Sequence, residues 1–206
     1  MMEELSPDEA DAIVELFNIG MGATAENLST LLGEEVALSV PTLRLTSRRA
    51  IAAELEAGAG ADLCSVSETV AGAFRGEAML LFRIGEGLAL ARRLLPDTPA
   101  DAGAANGGIG EIEQDALTEI GNIILNGCLA SFANLMDAPV DGGLPRYRAG
   151  PASRLIVGAD DPLLYVGIDV APAHGGGRGR ALFLLDIASL DAFRAAMRRT
   201  LDNLGL

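Results

Sequence analysis

Two stretches of this sequence repeat each other without a gap, and the repeat limits the folds that are open to the chain. Residues 11–41 align with residues 115–145 when one copy is shifted by 104 positions. A single repeat of such long period indicates a duplicated half-domain, because a solenoid would show several shorter repeats. We therefore expect two similar halves that share one core.

Each copy carries two acids and an amide at positions i, i+4 and i+7, which share one face of a helix. The first row is Asp11, Glu15 and Asn18, and the second row is Asp115, Glu119 and Asn122. Apolar residues occupy the opposite side of both helices, including Leu28 and Leu31 in the first and Leu117 and Cys128 in the second. That is the pattern of a surface helix packed on a core, so both rows should face solvent.

An acidic row on an exposed helix is common, and one such match would indicate nothing about function. Here the row occurs twice in the same helical phase. Each amide is also followed 23 residues later by a proline, Pro41 or Pro145. The coincidence favours a functional interpretation over an ordinary solvated face.

The motif is Asp or Ser, then Glu four residues on, Asn three further on and a later Pro. It resembles the motif of the CheC family of bacterial chemotaxis, and the resemblance covers nearly the whole chain. The resemblance implies a phosphatase that acts on a phosphorylated CheY-type response regulator. Within the family, CheX members carry one motif and FliY members add a flagellar-switch domain. Two motifs in 206 residues are most similar to the two-site CheC type.

The resemblance also implies a role for each row residue. Asn18 and Asn122 would orient the attacking water, a task that suits an amide because it both donates and accepts hydrogen bonds. Glu15 and Glu119 would pair with the regulator's lysine, and Asp11 and Asp115 would support binding or orientation. The regulator would hold Mg²⁺, so this chain would need no cofactor of its own.

An isoleucine follows the amide in both copies. Ile19 and Ile123 lie about 80° from the first acid of their rows on a helical wheel, beside the polar face. Contact with the partner and packing under a neighbouring loop are both open for these two residues.

Composition excludes several other classes of function. The net charge of −14 argues against nucleic acid, and the absence of lysine excludes Schiff-base and P-loop chemistry. One histidine leaves no conventional multi-histidine metal site. No apolar run approaches a membrane span, and Cys64 and Cys128 form no CxxC motif. We expect a cytoplasmic protein with two reduced, buried cysteines.

Local patterns predict the elements of the first half. Ser6, Pro7 and Glu9 favour a helix start, and the helix should continue to about Leu32 and end at Gly33. The elements predicted next are a strand over 36–45, a short helix over 48–57, a hairpin of 63–74 with 77–82 and a helix over 86–95. Residues 96–110 have the composition of a flexible linker.

The second half should repeat this order, with a helix over 111–136, an eroded short helix near 149–156, a hairpin of 163–171 with 180–185 and a last helix over 189–204. We predict an α/β (α+β) fold with a mainly antiparallel sheet and a pseudo-two-fold axis. It would be a single domain, 1–206, built from repeats of about 1–95 and 111–206.

Two functions compete at this point, and a third is weaker. Catalysis by the rows is the first. The second is a non-catalytic adaptor or flagellar-switch component of the same fold, and the family resemblance adds the receptor deamidase CheD as a possible partner. A metal enzyme using Asp11 and Glu15 is the third, and two carboxylates on one helix without further ligands make a poor site.

Overall fold

The computed structural model describes residues 7–59, 62–95, 109–135, 137–174 and 176–187, with 195 and 199 as isolated helical positions. The first half contains α1 (Pro7–Leu32), β1 (Val36–Leu38), β2 (Thr42–Thr46), α2 (Arg48–Ala59), β3 (Leu63–Gly72), β4 (Gly76–Arg83) and α3 (Ile84–Leu94). The second contains α4 (Glu111–Leu135), β5 (Val140–Gly142), β6 (Arg146–Gly150), α5 (Ala152–Leu155), β7 (Leu163–Pro172) and β8 (Gly179–Asp186). The same order of elements thus occurs twice, while duplication and a pseudo-two-fold axis stay predictions.

Helix α1 ends where the sequence predicts. Gly33 has a φ of +67°, a left-handed conformation that glycine adopts without steric cost and that closes the helix. The prediction that Leu31 is buried was wrong, because its side chain is 38% exposed. Leu28 and Leu32 pack against the core instead, and Leu31 lies further round the helix toward solvent.

The single strand predicted over 36–45 was also wrong, because the structure has two short strands there. Both strands pair with β7, where Leu38 lies opposite Val170 and Thr42 lies opposite Gly167. The segment from β1 to β2 therefore advances four residues while β7 advances three. The extra residue forms a bulge. Pro41 lies inside it, where its missing N–H interrupts no ladder hydrogen bond.

All eight strands belong to one sheet, in the order β1-β7-β8-β4-β3-β5, with β2 also on β7 and β6 also on β3. The short strands of each half pair with a long strand of the other half, and β4 pairs with β8 at the centre. Each of these pairs is antiparallel, as predicted. Because the short strands of each half pair with the other half, the two halves share one sheet, and the single domain stays a prediction.

Alternate residues of the long strands enter two cores on opposite faces of the sheet. In β3, Cys64 and Val66 join the core beneath α1, α3 and α4, whereas Leu63 joins the core beneath α2 and α5. The period of two along a strand produces this division. Both long row-bearing helices therefore lie on one face of the sheet.

The second half needs one correction to the predicted boundaries. Residues 96–108 lie outside the described residues, but Ile109 and Gly110, assigned to the flexible linker, are buried. Gln114 N donates to Gly110 O at 2.9 Å, so the chain is already held before α4. Helix α5 is a single turn, as its preceding Gly150 and Pro151 predicted. The predicted helix over 189–204 falls almost entirely outside the described residues.

Cys64 and Cys128 are buried free thiols, as predicted. Within the described ranges, no helix has the length and apolar character needed to cross a bilayer.

Candidate functional site

The first row stands on the outer face of α1. Asp11, Glu15 and Asn18 are exposed, whereas Met21 and Leu28, further along the same helix, face the core and are buried. One turn after Asn18 the same face carries Gly22, and no neighbouring atom lies within 4 Å of the position its Cβ would take. The surface next to Asn18 is therefore open at this position. The side chain of Ile19 lies outside the described residues.

The second row stands on α4. Asp115 and Glu119 are exposed, while Asn122 and Ile123 are half-buried. Gly121 explains why α4 lies so near the sheet at this point, since a Cβ there would come within 2.5 Å of Val66 Cγ1 on β3. A residue without a side chain thus brings Asn122 close to the strands below it.

Helices α1 and α4 pack closely against each other at a point C-terminal to both rows. A Cβ on Gly127 would lie 3.2 Å from the Thr24 hydroxyl, and that hydroxyl also reaches the Cys128 thiol. Asn18 precedes Thr24 by six positions and Asn122 precedes Gly127 by five, about 9 Å and about 7.5 Å along the helix axis. This contact therefore fixes where each amide stands on the surface.

A second layer of polar groups lies behind Asn122. Asn126 Nδ2 donates to Asn122 Oδ1 at 2.8 Å and to the Asn122 carbonyl oxygen at 3.0 Å. Its third acceptor is Glu68 Oε2 on β3, at a longer 3.4 Å. A chain of contacts thus runs from the sheet through α4 to the row amide.

Glu68 is a carboxyl group in an apolar layer. Its side chain is 3% exposed, and Oε1 is buried with no donor among the described residues. Burial raises the pKa of Glu68 to about 7, and the Asn126 amide partly opposes this rise. The free energy of ionising Glu68 is therefore higher in the folded protein than in water.

Sequence reasoning missed Glu68, although a signal was present. Cys64, Val66 and Val70 alternate along the apolar face of β3, and Glu68 is the charged residue in phase with them. A carboxyl group on the buried face of a predicted strand needs a partner. Its partner is Asn126, which follows Asn122 by four residues on α4.

The rows lie outside four surface clefts in the described part of the chain. These clefts have volumes of about 370 to 520 Å³, and none of the four is lined by a row residue. Among the described residues, no three His, Cys, Asp or Glu side chains are grouped to hold a metal ion. Polar groups on a helix surface outside the clefts favour a protein partner over a small ligand.

Comparisons with known proteins connect this geometry to a family. No protein-family model matches the sequence. The flagellar motor switch phosphatase FliY of Bacillus subtilis (strain 168) is 26% identical over 145 residues, which are 70% of this chain and 36% of that protein. This chain therefore spans well under half of that relative's length.

Solved structures show the same fold. FliY of Thermotoga maritima has a TM-score of 0.75 at 16% identity, over 97% of this chain and 100% of that chain. A chain in the CheX–CheY–BeF₃–Mg²⁺ complex from Borrelia burgdorferi has a TM-score of 0.55 at 17% identity, over 84% and 96% of the two chains. Together, the sequence match and the shared fold show that this chain is similar to FliY and CheX proteins and has a CheC-like fold.

Proposed function

We propose that this chain is a phosphatase that hydrolyses the aspartyl phosphate of a CheY-type response regulator, with one site on α1 and one on α4, as in two-site CheC proteins. The observation that carries the proposal is the pair of rows. Glu15 and Asn18 are exposed on one long helix, and Glu119 and Asn122 lie at the matching positions of the other.

The chemistry needs mainly position. A water oxygen forms a bond to phosphorus while the bond from phosphorus to the regulator's carboxylate oxygen breaks, which yields inorganic phosphate and a free aspartate. Asn122, or Asn18 in the first row, accepts a hydrogen bond from that water and holds it in line with the breaking bond. No covalent intermediate on this chain is required.

The glutamates have a binding role in this scheme. A carboxylate near a phosphoryl group would be repelled by it, so Glu15 and Glu119 pair with a cation of the regulator beside the phosphoryl group. Asp11 and Asp115, one turn earlier, contact the same partner. Ile123 borders the second row and adds an apolar contact, as Ile19 would at the first.

Mg²⁺ enters this reaction with the regulator. The complex that resembles this fold contains CheY, BeF₃ and Mg²⁺ together with CheX. Beryllium fluoride stands in for a phosphoryl group, and Mg²⁺ accompanies it there. The ion would neutralise phosphoryl charge during hydrolysis.

A second candidate function is a non-catalytic adaptor, in the flagellar switch or toward CheD. The Bacillus relative is a flagellar motor switch phosphatase, and that name unites both roles in one protein. An adaptor has no need of the same Glu and Asn at matching positions of two helices, and for that reason we favour catalysis. A cytoplasmic location is part of the proposal, because both partners act there and the two cysteines are free thiols.

The experiment is to mix the chain with phosphorylated CheY-type regulator and follow the loss of phosphate. Asn18→Ala and Asn122→Ala should each leave partial activity, and the double variant should lose nearly all of it. Asn18 is exposed and Asn122 half-buried, so thermal unfolding is measured in parallel. A double variant that accelerates dephosphorylation as the wild type does would refute the assignment of the sites.

A further inference from the structure

We infer that Glu68 and Asn126 are positioning residues that hold the amide of Asn122 in one orientation, so that the second row is preorganised and the first is not. Because Asn122 acts only if the proposed phosphatase activity is correct, this role depends on that function. The inference concerns side chains outside the row, one of them on a different element of the fold.

The orientation follows from which atoms can donate and which can accept. The Asn122 carbonyl oxygen and the Glu68 carboxylate are acceptors, and both lie beside the same atom of Asn126. That atom must therefore be the amide nitrogen, Nδ2. Once Nδ2 is fixed there, the side chain of Asn122 must present its oxygen to it, at 2.8 Å. The Glu68 carboxyl group and the Asn122 carbonyl oxygen thus together determine, through Asn126, which way the row amide points.

The fixed orientation leaves useful groups on Asn122 without a partner among the described residues. Its Nδ2 has two hydrogens directed away from Asn126, and its Oδ1 keeps a second lone pair. These can bind a phosphoryl oxygen and the attacking water. An amide already held in the reactive orientation loses less conformational entropy when the complex forms.

The first row differs at every position of this network. The strand partners show the correspondence, since Glu68 lies opposite Ala78 in β4 and Ile168 lies opposite Ala181 in β8. The network residues are Glu68, Asn126 and Gly142, and the matching residues of the first half are Ile168, Gly22 and Leu38. A polar set at one row thus corresponds to an apolar set with an open glycine at the other.

Gly142 shows that the second set is mutually adapted. A Cβ at this residue would lie 2.5 Å from Asn126 Oδ1 and 3.0 Å from Glu68 Oε1, too close for either atom to stay in place. Leu38 carries a full side chain at the matching place and packs against the core. The absence of a side chain at Gly142 makes room for the two polar side chains beside it.

The first test compares one substitution in two backgrounds. With the first row silenced by Asn18→Ala, Asn126→Ala should lower kcat about tenfold and leave KM nearly unchanged, because it disorders an amide needed in the transition state. With the second row silenced by Asn122→Ala, Asn126 has no row amide to hold, and the same substitution should leave kcat within assay error. An equal loss in both backgrounds would show a general structural effect and overturn the inference.

The second test separates hydrogen bonding from packing at Glu68. In the Asn18→Ala background, Glu68→Gln keeps an acceptor for Asn126 and should retain most of kcat. Glu68→Met keeps the length of the side chain without an acceptor, and it should lower kcat about as much as Asn126→Ala does. Both variants remove a buried carboxyl group, so neither should lower thermal stability as an ordinary core defect does. Equal kcat for the two variants would contradict a positioning role.

A readout independent of activity is the side-chain amide signal of Asn122 in a ¹⁵N-correlated NMR spectrum, assigned by its loss in Asn122→Ala. Asn126→Ala and Glu68→Met should both shift it, while the amide signal of Asn18 stays in place as the matched control. Unchanged Asn122 signals in both variants would refute the positioning role. If the wild-type chain failed to accelerate dephosphorylation at all, the proposed function would fall, and these signals would still decide the orientation.

Discussion

Replacing Glu68 by Gln removes a carboxyl group that is harder to ionise in the folded protein than in the unfolded chain. Burial raises its pKa from an ordinary value of 4.5 to about 7. Each pKa unit corresponds to about 1.36 kcal/mol, so ionised Glu68 lowers the free energy of unfolding by about 3 kcal/mol. With a side chain only 3% exposed, little solvent screening reduces this amount.

The pH range follows from the direction of the shift. Below the unfolded pKa the carboxyl group is protonated in both states, and it lowers stability in neither. As pH rises from 4.5 toward 7, the unfolded chain releases its proton first, so the wild-type protein loses stability through this range. Above about pH 7 both states are ionised and the loss is constant. Glu68→Gln should match the wild type near pH 4.5 and exceed it by up to about 3 kcal/mol at pH 8.

The assay is urea unfolding of wild type and Glu68→Gln at pH 5, 6, 7 and 8. The difference in unfolding free energy between them should grow with pH and level off above pH 7. Glu119→Gln is the matched control, because it makes the same substitution at an exposed position. A difference between wild type and Glu68→Gln that stays constant with pH would refute the buried-carboxylate reasoning.

Three further predictions concern the rows and the metal. With the first row silenced by Asn18→Ala, Glu119→Gln should raise KM for the phosphorylated regulator, and this effect should shrink at high salt because an exposed ion pair is screened. In the same background Asn122→Ala should act mainly on kcat. Equal effects of both substitutions on kcat alone, with no salt dependence, would contradict this division of roles. Gly121→Ala should lower the free energy of unfolding by roughly 1 to 3 kcal/mol in urea titrations, because its Cβ would lie 2.5 Å from Val66 Cγ1, and a neutral result would show that α4 can shift freely. Calorimetry should find Mg²⁺ binding to the isolated chain no tighter than to an ordinary acidic surface, and a tight stoichiometric site would contradict the assignment of Mg²⁺ to the regulator.

Much of the secondary structure could be predicted from the sequence because its signals are local. The long helices carry apolar residues on one side, and Gly33 closes the first of them at the predicted place. The hairpins β3–β4 and β7–β8 form close to their predicted bounds. The exposure of Glu15 and Glu119 followed from the same periodicity.

The errors arose where a distant partner decides the outcome. Residues 36–45 have strand propensity throughout, and only the pairing with β7 places a bulge at Pro41. Ile109 lies in a glycine-rich stretch, yet it packs into the core beneath the long helices. Leu31 belongs to an apolar stripe, but Leu32 reaches the core in its place. Composition and periodicity contain no information about these contacts.

The sequence by itself determined that the chain has two copies of an Asp, Glu and Asn row on two long helices, because a helix places residues of that spacing on one face whatever its surroundings. The tertiary structure alone decided that the two rows differ. Asn126 follows Asn122 by four residues, but Glu68 is 58 residues away from Asn126 and meets it only because α4 packs closely on β3 at Gly121. The contact depends on how the strands of the two halves are interleaved, and strand order across a sheet is set by long-range packing that no local pattern specifies.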